Sequence, residues 1–123
     1  MSISKLMSEV DDEMLKQFKI YAKVDSEIED DLLKMWLLSA QRKVIGEVGK
    51  KIDDFFDDNP AFMAAVLIDA YTHYNNRDAD SNAMIFEKPE YRNDVNQLKD
   101  DYRDLTVSLD DDYYRVYGDD LNG

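Results

Sequence analysis

The chain holds one histidine, His73, and no cysteine. A hydrolytic triad would have to be built around that imidazole, yet it stands late in an apolar run beside Tyr74 and Asn75. No glycine pattern of a nucleophile elbow accompanies it. The missing thiols remove thiolate nucleophiles, disulfide staples and the common structural zinc sets together. Carboxylates are abundant, clustered at Asp11, Asp12 and Glu13; at Glu27, Glu29, Asp30 and Asp31; at Asp53, Asp54, Asp57 and Asp58; and at Asp110, Asp111 and Asp112. Adjacent residues on a helix point about 100° apart, so three in a row do not converge on one ion. None of the clusters has the alternating ligands, central glycine and closing glutamate of a calcium loop. Gly46 and Gly49, ahead of Lys50 and Lys51, lack the loop spacing and preceding strand of a phosphate cradle. The expectation is a non-enzymatic protein with no resident metal or cofactor.

Eight tyrosines are the one excess that points toward a function. Tyr71 and Tyr74 fall in the apolar run and read as core residues with hydroxyls at its end. Tyr113, Tyr114 and Tyr117 lie among aspartates near the C-terminus. Tyrosine brings large contact area at low entropy cost, which makes these three a candidate interface; a disordered tail is the alternative reading.

The elements that position these residues are helical. With 123 residues, 44% hydrophobic, the chain suits one packed domain, and four Gly and two Pro leave little turn material for a β architecture. Val10, Met14, Phe18 and Tyr21 share a face of a first helix capped at Ser8. Asp25 or Ser26 caps a second, running to about Val48, with a stripe through Ile28, Leu32, Met35 or Trp36, Ala40, Val44 and Val48 and its face widened by Leu33, Leu37 and Ile45. Lys34, Gln41, Arg42 and Lys43 sit off that stripe. Residues 52–58, with the exposed-looking Phe55 and Phe56, read as a turn or two of helix over the core. Asn59 as cap and Pro60 at the first position start a third helix to about Asn76, apolar nearly all round and therefore central. Residues 78–90 read as a loop, and Tyr91 to Leu105 regain helical period through Val95, Leu98 and Tyr102. The expected fold is all-α, a small orthogonal or bundle-like domain of about four helices over 1–107 with an acidic, aperiodic tail over 108–123. Leu32, Trp36, Ala40, Val66, Leu67, Ala70 and Tyr74 are its expected core.

The net charge is −13, from 28 acids against 15 bases. Residues 89–123 carry ten of the acids and four of the bases, the most acidic stretch. Such a surface repels nucleic acid and anionic lipid on average, since nonspecific affinity comes from cations displacing counterions at phosphates. The first residues lack the apolar core of a signal peptide, and no run approaches the roughly 20 apolar residues of a membrane span. A protein made in the cytoplasm, with no membrane partner, is expected.

Residues 65–77 resemble the central helix of the head-to-tail connector proteins of tailed bacteriophages, also called head-completion or DNA-packaging adaptor proteins. There an apolar run leads into an aromatic or histidine, then tyrosine, a polar residue, asparagine and arginine, matched here by His73, Tyr74, Asn75 and Arg77. Asp30-Asp31-Leu32-Leu33 with Ala40-Gln41-Arg42 is similar to that family's long helix, Leu15-Lys16-Gln17-Phe18-Lys19-Ile20 to its opening one and Val95-Asn96-Gln97-Leu98 to its closing segment. The resemblance covers residues 8–103, and the tail departs from it. It implies a structural virion protein at the head-tail junction, made in the bacterial host. It implies a ring on the order of a dozen copies, between the portal protein and a tail-side completion protein, with DNA passing through without specific binding. The charge alone leaves open an acidic soluble interaction protein, such as a DNA mimic that blocks a host nucleic-acid-binding protein. A mimic needs carboxylates spaced like phosphates, whereas lysines at 5, 16, 19, 23 and 34 interrupt the acids here.

Overall fold

The computed structural model describes residues 2–77 and 87–122, with side chains described through Val107 in the last helix. The fold is all-α: α1 (Ile3–Leu6), α2 (Asp12–Ala22), α3 (Asp30–Val48), α4 (Pro60–Asn75) and α5 (Pro89–Asn122). α4 is central, packed between α3 and α5, while α2 lies against α3 and α4 and α1 rests on α3.

The clearest start signal is the one at α4. Asn59 Oδ1 accepts from the N–H groups of Ala61 (3.1 Å) and Phe62 (3.3 Å), and Pro60 takes the first position, where no N–H is needed. α2 begins later than Ser8, because Asp11 is the cap and accepts from Met14 N–H at 2.7 Å. Ser8 instead donates its hydroxyl to Ser4 O (2.9 Å), behind α1, a short helix that the apolar period alone does not reveal. α2 ends at Lys23, which takes the left-handed conformation (φ 58°). α3 begins at Asp30 rather than at 25 or 26.

The stripe expected on α3 is displaced by one position. Leu33, Leu37, Ala40, Gln41, Val44 and Ile45 are buried, whereas Leu32 and Trp36 are only half-buried and Ile28 is 93% exposed. Both stripes keep helical spacing along an apolar arc wider than one contact. α3 meets α1, α2, α4 and α5, and Leu33 and Leu37, not the indole, are fully enclosed among them. Ala40, Val66 and Ala70 are buried, and Leu67 and Tyr74 are half-buried at the edge of the core.

The core is completed by Met14 and Phe18 of α2, Phe62 and Ala65 of α4, and Tyr91, Val95, Leu98 and Tyr102 of α5. Phe56 joins it at 3% exposure, edge-on to Phe55 (5.1 Å) and against Phe62 (4.9 Å), so the pair between α3 and α4 is not the exposed one expected. Gly49 ends α3 at φ 141°, and a Cβ there would lie 2.6 Å from the Tyr102 ring. The missing side chain lets Tyr102 reach in and accept from Lys51 N–H at 2.7 Å. The expected loop over 78–90 lies largely outside the described residues, and Pro89 already belongs to α5. α5 runs on through Asn122, so the backbone over 108–122 is helical where no period was expected.

Candidate functional site

α4 carries the residues that matter most, and its last turn sends them to two sides. Tyr74 meets Phe18 of α2 (5.9 Å) and Trp36 of α3 (6.1 Å), both edge-on. Arg77 lies over the Tyr74 ring (4.8 Å) and donates from Nη1 to both carboxylate oxygens of Glu29 at 2.6 Å. Glu29 sits immediately before α3, so this pair fastens the end of α4 to the beginning of α3. Asn76 closes the helix, its side chain donating to Thr72 O at 2.7 Å. Of the four motif residues, Tyr74 and Arg77 form one clasp, His73 faces elsewhere, and Asn75 is exposed.

On the other side Asp69, 8% exposed, accepts from Lys43 Nζ at 3.0 Å and stands 3.9 Å from His73 Nε2. They line a cleft of about 150 Å³ with Thr72, Glu87, Lys88 and Tyr91. Tyr91 is buried beneath Lys43, whose ammonium lies 4.6 Å from its ring, and its hydroxyl donates to Glu47 at 2.8 Å. Arg92 bridges Glu47 (3.2 Å) and Glu87 (2.7 Å). Burial first, and then the bond to Glu47, push the Tyr91 phenol far above its ordinary range. The bond from Arg92 holds the Glu87 carboxyl below its usual value. Thr72, the hydroxyl nearest His73 in sequence, donates to Ile68 O at 2.9 Å. The arrangement compensates charge across α3, α4 and α5 and locks their spacing. Among the described residues no group of three or more acidic or histidine side chains could hold a metal ion.

No family model, no curated protein and no solved structure matches this chain. Its geometry is therefore the ground for any functional reading.

The side chains of Tyr113, Tyr114 and Tyr117 lie outside the described residues; their backbone belongs to α5. Sequence reasoning missed Gln41, set off the stripe but 1% exposed, donating to Leu6 O (2.7 Å) and Glu9 O (2.8 Å). It also missed the Glu47–Tyr91–Arg92 network, whose members come from helices that no local pattern pairs. Among the described residues no helix is long and apolar enough to cross a membrane.

Proposed function

We propose that this chain is a structural virion protein, a head-to-tail connector that assembles as a ring beneath the portal of a tailed bacteriophage. One observation carries the reading. The stretch that resembles the connector family's central helix is the central helix here, and its Tyr74 and Arg77 clasp α2 and α3 rather than forming a reacting site. The motif thus works as a framework part, as an assembly subunit requires. The charge agrees: a channel for DNA must not grip phosphates, and −13 per subunit keeps the lumen from doing so.

In this reading the ring contacts the portal above and a tail-side completion protein below, and DNA passes without specific contacts. A DNA mimic is less well supported. Several acids are engaged by cations on this surface, at Lys19–Asp30, Lys43–Asp69, Arg77–Glu29 and Arg92–Glu47, which breaks a continuous phosphate-like array. Negative-stain imaging of the protein mixed with its cognate portal tests the proposal. Rings capping the portal are expected; bare portals at saturating protein would overturn it.

A further inference from the structure

One face of this acidic molecule is both apolar and basic. Along α2 a groove of about 550 Å³ is lined by Leu15, Ile20 and Val24 and rimmed by Lys16, Lys19 and Lys23, with Asp12 and Asp25 at its ends. Ile20 is 62% exposed there, and Tyr21 beside it 46%. Lys19 is engaged by Asp30 at 2.7 Å, whereas the ammonium groups of Lys16 and Lys23 have no partner among the described residues.

A segment of complementary chemistry exists in the same chain. On α5 the buried residues Tyr91, Val95, Leu98 and Tyr102 recur at steps of four, three and four. The same steps continue to Leu105, Leu109, Asp112 and Val116, placing them on that face of one unbroken helix. Among the residues whose side chains are described, Tyr102 is the last buried one on this face, and Leu105, the next, is 48% exposed. Residues 104–122 carry six aspartates and one arginine. By its spacing this is an apolar stripe in an acidic helix.

We infer that the groove on α2 seats the acidic C-terminal stretch of α5 from a second copy of this chain. The copy's own helix does not serve, because α2 and α5 share no contact among the described residues. Groove and helix are different surfaces, so the contact is heterologous and repeats from copy to copy, as a ring requires. Aspartates against Lys16 and Lys23 supply local attraction that the overall charge opposes, and Leu109 and Val116 supply apolar area for Leu15 and Ile20. The inference rests on the connector reading for closure of the ring, whereas the contact itself needs no portal.

A labelled peptide of residues 104–122 titrated with the full-length protein, read by fluorescence anisotropy, tests the contact directly. Saturable binding is expected, weakened about tenfold by Lys16→Glu with Lys23→Glu and weakened by added salt. Circular dichroism of that variant should match the parent, since both side chains are without partners. A peptide carrying Asp110→Lys, Asp111→Lys and Asp112→Lys should regain affinity for the reversed groove. Absence of saturable binding, equal binding to the reversed groove, or no rescue by the swapped peptide would each overturn the inference. Peptide binding together with bare portals would leave the contact standing and sink the connector reading alone.

Discussion

Gln41 shows what a single polar side chain does when it is enclosed. Its amide satisfies two carbonyls, at Leu6 and Glu9, in the segment that leads from α1 into α2, and so fixes that segment on α3. Gln41→Ala should cost about 1–3 kcal/mol in urea unfolding, because both carbonyls lose their donor where water enters poorly. Tyr91 makes a pH prediction. Its folded pKa is raised by burial and by Glu47, so its contribution is complete below the ordinary phenol value of about 10. Above it the unfolded chain gives up the proton while the folded chain keeps it, and stability falls as the pH rises further. Tyr91→Phe should flatten that alkaline loss, measured by denaturant midpoints between neutral and strongly alkaline buffer. Neither residue was legible as special. Gln41 sits at a position that periodicity reads as off the core, and the partner of Tyr91 is 44 residues away.

At the scale of elements, legibility followed the strength of local signals. α4 was readable to within a residue, since Asn59 and Pro60 act locally and an all-round apolar run leaves no face to choose. α3 was readable as a helix but not in its orientation, because Leu32, Trp36, Leu33 and Leu37 belong to one broad arc that only the four helices packed around it can resolve. Leu37→Ala should therefore cost about 2–5 kcal/mol and Trp36→Ala less, a ranking that equilibrium unfolding of the two variants would check. The end of α3 depends on a residue with no side chain. Gly49→Ala should destabilise by about 1–3 kcal/mol from backbone strain alone and displace the Tyr102 ring, visible as loss of protection at the Lys51 amide in hydrogen exchange. α1 was missed because four residues carry no period. The far end of α5 was missed because an aspartate, Asp112, interrupts the stripe where the heptad expects an apolar residue.

For the molecule as a whole, every residue of the described core precedes residue 103. Deleting residues 108–123 should leave the thermal transition largely unchanged, and a truncated chain that no longer melts cooperatively would make the end of α5 part of the folding unit. The charge of −13 acts on all copies alike. Between intact copies this repulsion outweighs a single groove contact, which the far less charged peptide of residues 104–122 meets without it, so at micromolar concentration and low salt the full-length protein should scatter light as a monomer. The fold class and the centrality of α4 could be read from sequence because they follow from composition and period. The groove on α2 could not, since it exists only once Lys16, Lys19 and Lys23 are ranged along one side of a folded helix.

The chain has one tryptophan, and it lies half-buried against Tyr74, within the clasp that Arg77 completes. Intrinsic fluorescence therefore has a single address. Excited at the red edge of the indole band, the molecule reports the joint between α3 and the end of α4 and is blind to the far half of α5. An emission shift that runs ahead of the loss of helical ellipticity would mark this joint as the first part of the bundle to open.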